Sequence, residues 1–465
     1  MNDLERTATY ESEFETKQAR EMYCRMMTDK IAKCNTVDQE LYEHHDVKRG
    51  LRNSNGTGVV VGLTKIGCVE GYDIIDGEKT PKEGKLYYRG ISVEDLVQGA
   101  FNEKRMGYEE TSYLLLYGNL PDKKNLALYN EYLGARRELP FAYVRDSILT
   151  APSLDIMNKL SRCILSFYSF DDNPDDTSME NVLRQSIDLI ARMPALVCYG
   201  YQAKVSYDKN ASLHFHRPLP ELSTAENILR MIRPMGTYTD LEATLLDACL
   251  ILHAEHGGGN NSAFTTHVIS SSGTDTYATI SAAVSSLKGP KHGGANVKVV
   301  EMMRNLKNNV KDLSDRKAVD KYFIDVLQGT KGDRSGLLYG FGHAVYTLSD
   351  PRAVILKKMA RQLAEHKGLL EEFELYEYLE NNATRLMFEA RGIDKIMMAN
   401  VDLYSGFVYS ALNIPIEIST PLFAASRISG WCAHRMEELF MDGKIIRPAY
   451  ISVEEGNKYI PLKER

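Results

Sequence analysis

Residues 251–300 read ILHAEHGGGNNSAFTTHVISSSGTDTYATISAAVSSLKGPKHGGANVKVV, a stretch that sets three histidines beside runs of glycine, between segments patterned like buried helices. Glycine lacks a Cβ and lets a ligand approach the backbone, while imidazole is the side chain whose proton moves most readily near neutral pH. Neither residue helps a helix pack, so the combination marks a place for chemistry. Leading into the stretch, Leu245, Cys249, Leu252 and His256 recur at helical spacing. This predicts a helix over about 240–256 with His256 on its buried stripe and His253 one turn earlier. Gly257, Gly258 and Gly259 then stop it. Two readings of the paired rings stand at this point: satisfied core histidines, or imidazoles at the edge of an open space. No H-E-x-x-H pattern or acidic third ligand at helical spacing accompanies them, so no metal is expected. At the other end, Gly289, Gly293 and Gly294 surround His292 in GPKHGGAN. Here the pattern predicts a loop between a helix ending near Leu287 and one capped by Asn296, with His292 within reach of another molecule.

Working outward, helical periodicity dominates, and Ser92/Asp95, Ser223/Glu226 and Thr239/Glu242 match the capping signature ahead of apolar runs. The expected fold class is therefore mainly α. A short β-element is expected between Gly58 and Gly90, where β-branched and aromatic residues alternate with turn residues. Residues 1–50 are charge-rich and predict one or two solvated helices, followed by a linker to about residue 58. Gly56-Thr-Gly58-Val-Val-Val-Gly62 superficially resembles a dinucleotide loop, but no strand precedes it and no helix follows.

Composition bounds the partners. The chain has 465 residues, 43% hydrophobic and 26% charged, with a net charge of -7. Such a profile fits a globular protein without a polyanion-binding surface, so no nucleic acid is expected. The seven cysteines include no Cys-x-x-Cys pair and do not make a disulfide framework. The first twenty residues are too charged for a signal peptide and no run has the ~18–20 apolar residues of a membrane span. The expected setting is the cytoplasm, with no membrane partner.

Three downstream elements carry further chemistry. In GFGHAVYTLSDPR (340–352), Asp350 and Pro351 predict a helix cap and first position. Arg352 then falls in the first turn, where the helix dipole disfavours a cation by ~0.3–1 kcal/mol. An anion bound there would explain it; local pairing with Asp350 is the plain alternative. In NVDLYSG (400–406), Asp402 lies between two apolar segments, ahead of the expected helix FVYSAL, where a simple cap is the usual role of Asp. The helix after Pro421 has Leu422, Ile428, Cys432, Met436 and Leu439 on one face, with Arg427 and His434 seven apart, and Arg447 follows the turn at Gly443.

Together these segments resemble the citrate synthase family. HAEHGGGN (253–260), GPKHGGAN (289–296), GFGHAVYTLSDPR (340–352), NVDLYSG (400–406), ASRISGWCAHRMEE (425–438) and IIRPAYI (445–451) stand in the family's order and spacing. The resemblance implies a large helical domain (59–293 and 403–465), a smaller one (294–402) that closes over it, and a charged helical extension (1–58). It also implies condensation of acetyl-CoA with oxaloacetate and hydrolysis of citryl-CoA, with 2-methylcitrate synthase using propionyl-CoA as the alternative. A non-catalytic CoA-binding scaffold dimer and a metal-dependent hydrolase on His253 and His256 are remoter readings. By resemblance the catalytic set is His292, His343 and Asp402: His292 holds the thioester carbonyl, Asp402 removes the methyl proton, and His343 polarises and protonates the ketone. His256, Arg352, Arg427 and Arg447 would bind oxaloacetate, Arg447 from the partner subunit of a homodimer. Gly340, Phe341, Gly342 and Asn400 are candidate CoA contacts. No cofactor is implied, since the CoA thioester is a substrate. Two departures stand out: Gly257 occupies a position often acidic or polar in the family, and AVYTLS (344–349) lacks the usual basic residue that can reach CoA phosphates.

Overall fold

The computed structural model describes residues 16–441, 443–454, 456 and 458–465. Its contacts divide the chain into two units, residues 1–60 with 447–465 and residues 61–446. In the smaller unit, the described part of the charged extension forms helices Lys17–Asn35 and Gln39–His44, both exposed, as the charge pattern predicts. Residues 1–15 of that extension lie outside the described residues. Arg52 and Gly58 then make an isolated antiparallel bridge.

In the larger unit the expected β-element is a three-stranded antiparallel sheet, β1 (Gly67–Ile75), β2 (Glu78–Tyr88) and β3 (Ile91–Ser92), in that order. The register of β1 slips between Glu70 and Tyr72. The intervening Gly71 lets the strand lie against the 343–350 loop: a Cβ at Gly71 would stand 2.6 Å from the Tyr346 Cα. Thr347 Oγ1 donates to the Gly71 carbonyl and accepts the Lys82 N–H at 3.2 Å, and Ser349 Oγ accepts the Gly84 N–H at 3.2 Å. The sheet is thus a clasp on the loop that carries His343.

All else of substance in this unit is helical. Helix Ser419–Phe440 is buried on every side, with Leu422, Ile428, Trp431 and Cys432 wholly out of water. A helix buried on all sides belongs at the centre of a bundle, and its Arg427, His434 and Arg435 are buried with it. Helices Met179–Lys209, Asp240–His253, Asn261–Ser270 and Thr276–Lys288 pack around it. Ser223 and Thr239 form full capping boxes with Glu226 and Glu242, while Ser92 caps through the Glu94 N–H rather than through Asp95. Cys163, Cys198, Cys249 and Cys432 are buried and unpaired; Cys24, Cys34 and Cys68 are exposed. Among the described residues no helix is long and apolar enough to cross a membrane.

Three local expectations are corrected. The helix predicted over 240–256 ends at His253. The buried Tyr88 hydroxyl sits 3.0 Å from the Ile251 carbonyl and 3.1 Å from that of Glu255, so a side chain from the sheet satisfies the helix end early, and Gly257 at φ +81° completes the turn. His256 therefore lies beyond the helix rather than on its stripe. Asn296 is not the cap of the next helix: Ala295–Asn309 is capped by Gly294, and the buried Asn296 amide donates to Ser405 Oγ at 2.6 Å, tying two helices together. Helix Val401–Ala411 begins before Asp402, with Asn400 as its cap.

Candidate active site

His256 emerges from the end of helix Asp240–His253 and is buried. Its ring meets that of His343 edge to face, centroids 4.9 Å apart, and that of Tyr346 at 5.5 Å. His343 stacks on Tyr346 at 4.5 Å. Its Nδ1 accepts two backbone N–H groups, from Val345 at 3.0 Å and Tyr346 at 3.1 Å. A neutral ring held this way carries its proton on Nε2.

Behind these rings stand two guanidinium groups. Arg352 is buried in the first turn of helix Pro351–Lys367 and is held by its own cap: Nε and Nη2 donate to the two oxygens of Asp350 at 3.0 and 2.8 Å. The plain alternative of local pairing is therefore present, but in a buried setting. Burial alone would lower the Arg352 pKa, but the charge and hydrogen bonds of Asp350 together with Tyr346 and Tyr88 outweigh it and raise the pKa above its ordinary value. Arg427, on the central helix, donates Nε to the His253 carbonyl at 2.5 Å, while Nη1 and Nη2 are buried with no hydrogen bond in the protein. Burial brings its pKa down to about 10, against the opposing charge of Glu255. His256 Nε2 is likewise buried without a partner. Burial holds the His256 pKa well below the ordinary value, and the charges of Arg352, His343, Arg427 and His292 push the same way, so the ring is neutral at pH 7.

The carboxylate is Asp402, in the first turn of helix Val401–Ala411. Burial raises its pKa to about 6; Arg352 and Arg427 oppose the rise and Asp350 adds to it. A carboxylate of ordinary pKa ~3.9 is a weaker base, so this site moves Asp402 toward the pKa that general-base catalysis at neutral pH requires. His292 lies on its glycine loop, hydrogen-bonded through Nε2 to Ser262 Oγ at 3.1 Å. Ser262 Oγ also accepts the Trp431 indole N–H at 3.1 Å. Burial, helped by Arg427, brings the His292 pKa down to about 4, so it too is neutral.

The four candidate CoA contacts lie in a short ladder that joins the His343 loop to the start of the Asp402 helix. Phe341 bridges Ala399 antiparallel, the Gly342 N–H donates to Met398 at 2.9 Å, and the Asn400 N–H donates to Gly340 at 2.9 Å. Gly340, at φ +87°, has no room for a Cβ against Val299 and Leu403. The Asn400 side chain donates Nδ2 to the Gly342 carbonyl and accepts the Asp402 N–H.

The larger unit thus gathers His256, His343, Arg352, Arg427, Asp402 and His292 in one mutually interacting set. Arg447 is an exposed residue of the smaller unit. The sequence reading missed Tyr346, Ser262 and Tyr88; Ser262, six residues beyond His256 in a helix's first turn, carried the only signal of the three.

A helical fold that buries neutral imidazoles, unsatisfied guanidinium nitrogens and a carboxylate of raised pKa defines an acid–base enzyme for an anionic substrate. Residues 54–449 match the family model "Citrate synthase, C-terminal domain". The chain is 35% identical over 395 residues to the citrate synthase of Acidithiobacillus ferridurans, covering 82% of this chain and 93% of that one. It is 31% identical over 386 residues to the 2-methylcitrate synthase of Shewanella oneidensis, covering 82% and 92%. Among solved structures it resembles the ternary complex of citrate synthase from Thermoplasma acidophilum with carboxymethyl coenzyme A and oxaloacetate, with a TM-score of 0.73 and 28% identity over 90% of this chain and 99% of that one. The chain belongs to the citrate synthase family.

Proposed function

We propose that this enzyme condenses acetyl-CoA with oxaloacetate and hydrolyses the resulting citryl-CoA to citrate and CoA. The carrying observation is the pair of bare Arg427 terminal nitrogens and the bare His256 Nε2, buried beside His343. A guanidinium group taken out of water costs several kcal/mol unless an anion meets it, and a dicarboxylate keto acid answers that demand.

In this reading Arg352, Arg427 and His256 hold oxaloacetate with its ketone against His343. Asp402 takes a proton from the methyl group of acetyl-CoA, and the electrons move onto the thioester oxygen. The Ser262 hydroxyl has one hydrogen and two acceptors in reach, Asn260 Oδ1 at 2.9 Å and His292 Nε2 at 3.1 Å; when it turns from Asn260 to Nε2, neutral His292 carries its proton on Nδ1 and donates to that oxygen. The enol carbon then attacks the ketone, and His343 delivers its Nε2 proton to the forming alkoxide. Water hydrolyses the thioester afterwards, which calls for a cleft that opens and closes; residues 294–402 are the proposed closing domain. Gly340, Phe341, Gly342 and Asn400 are the proposed floor under CoA. We further assign the protein to the cytoplasm as a homodimer, with Arg447 reaching oxaloacetate across the interface. No cofactor takes part in the reaction.

A thiol-release assay with acetyl-, propionyl- and butyryl-CoA tests this. Release from acetyl-CoA that depends on oxaloacetate is expected. Equal or faster release from propionyl-CoA would make the enzyme a 2-methylcitrate synthase, and no oxaloacetate-dependent release from any of the three would leave a CoA-binding scaffold.

A further inference from the structure

Away from the reacting groups, the larger unit buries a second set of titratable side chains along the central helix. His434 Nε2 is hydrogen-bonded to Glu255 Oε1 at 3.0 Å, and His267 Nδ1 to Glu438 Oε2 at 2.7 Å. The two other ring nitrogens, His434 Nδ1 and His267 Nε2, face each other at 3.1 Å. The facing atoms need a cation between them: burial lowers the His434 pKa, but the charges and hydrogen bonds of Glu255 and Glu437 raise it to about 9, so in the metal-free protein that cation is a proton, which a metal ion would displace. A third donor is in place. Glu437 Oε1 accepts the Lys65 N–H at 2.6 Å, which fixes the carboxylate. Its Oε2 is buried, has no hydrogen-bond partner and stands 3.7 Å from His434 Nδ1. That side chain is only 10% exposed. The three donor atoms lie within 4.8 Å of one another.

We infer that His267 Nε2, His434 Nδ1 and Glu437 Oε2 form a binding site for one divalent transition-metal ion, Zn²⁺ by ligand type. Nitrogen ligands at ~2.0–2.1 Å on a tetrahedral ion are separated by roughly 3.3 Å, close to the spacing already present. Two imidazoles and a carboxylate are a donor set that zinc favours. The outer carboxylates Glu438 and Glu255 supply what metal-bound imidazoles generally have, an acceptor for the far N–H that orients the ring. The sequence reading expected no metal because it looked at His253 and His256, which have no H-E-x-x-H pattern and no acidic third ligand at helical spacing. His434 and Glu437 are one turn apart on the central helix, but His267 is 167 residues before His434, so no single motif holds the set.

The ion would tie helix Asn261–Ser270, through His267, to the central helix, through His434 and Glu437. Glu255, immediately before His256, is bonded to the far side of the His434 ring, and a Cβ at Gly258 would lie 3.5 Å from both His267 Nε2 and the His434 ring, so the ion stands beside the 255–260 segment. The inference does not depend on which acyl-CoA the enzyme uses.

The test is Zn²⁺ binding by the full chain after dialysis against a chelator, read by calorimetry and metal content. One ion per chain is expected, with a rise in Tm. Affinity should fall at least 100-fold in His267→Gln and Glu437→Gln, and about 10–100-fold in Glu438→Gln. Circular dichroism establishes that each variant is folded, and Glu437→Gln, at the edge of the cluster, serves if His267→Gln is not. Anomalous diffraction from Zn²⁺-loaded crystals should place the ion between the two rings. No stoichiometric uptake, uptake unchanged in the folded variants, or an anomalous peak elsewhere would overturn the site and leave a shared proton between His267 and His434.

Discussion

Asn400 holds Asp402 from one residue away in space and two in sequence: its Oδ1 accepts the Asp402 N–H at 3.0 Å, while its Nδ2 donates to the Gly342 carbonyl next to His343 at 2.9 Å. One amide thus sets both the helix start that carries Asp402, the proposed base, and the loop end that carries His343, the proposed acid. Replacing it by Ala removes a cap of ~1 kcal/mol and frees both neighbours to shift. We expect Asn400→Ala to lose about 10- to 100-fold in kcat, since a 1 Å misplacement of a reacting group can cost 10²-fold. KM for oxaloacetate should hardly move. Steady-state kinetics on both substrates checks the split, and a change confined to the KM for the acyl-CoA would leave Asn400 as a CoA contact with no part in positioning Asp402 and His343.

Asp402→Asn should separate stability from activity. Turnover should fall by ~10²–10⁴ with loss of the general base, while oxaloacetate binding is kept. The same substitution should stabilise the fold. Because burial raises the carboxyl from 3.8 to about 6, the folded state holds the proton more tightly than the unfolded one. The penalty for the charged form is fully present above about pH 6 and disappears below the unfolded value. Removing the charge should therefore raise stability at pH 7–8 by on the order of 2–3 kcal/mol. Denaturant melts at pH 8 and pH 4 measure it; an equal effect at both would detach the gain from ionisation.

The rate should track the same group. The proposed base must be deprotonated, so kcat/KM for acetyl-CoA should drop about tenfold per unit as pH falls below about 6. His256 and His292 do not add a limb between pH 6 and 8, because burial keeps both neutral there. In Asp402→Asn the residual rate should lose this limb.

Arg427→Leu tests the anion site. Losing a buried cation that meets a substrate carboxylate typically costs 2–5 kcal/mol, about 30- to several thousand-fold in affinity. Oxaloacetate at 100 times its Kd should stabilise the wild-type protein by ~2.7 kcal/mol, and the variant by no more than ~0.9 kcal/mol at the same concentration. Thermal melts with and without oxaloacetate give both numbers; an unchanged shift would exclude Arg427 from the site.

Much of this was legible in the chain, and the failures share a cause. Helical period and caps gave the mainly α class, and glycine flanking His292 and preceding His343 marked loops made for contact. What sequence could not carry were partners from far away. The helix before His256 stops early because Tyr88, more than 160 residues upstream, satisfies its last carbonyls. Asn296 looks like a cap until Ser405 appears beside it. Arg352 with Asp350 was visible as a local pair, but its burial depends on the fold around it. The roles of His292, His343 and Asp402 came from family resemblance, since each alone has an ordinary structural explanation.

The short ladder between 340–342 and 398–400 has one more implication. Asp350, bonded to both Arg352 and the Val401 N–H, extends it, so His343, Arg352 and Asp402 belong to a single braced block. His256, His292 and Arg427 hang from other helices. Closure of the proposed 294–402 domain would then carry the proposed proton donor, proton acceptor and one anion clamp as a unit, so that a single coordinate would decide when the enzyme is armed.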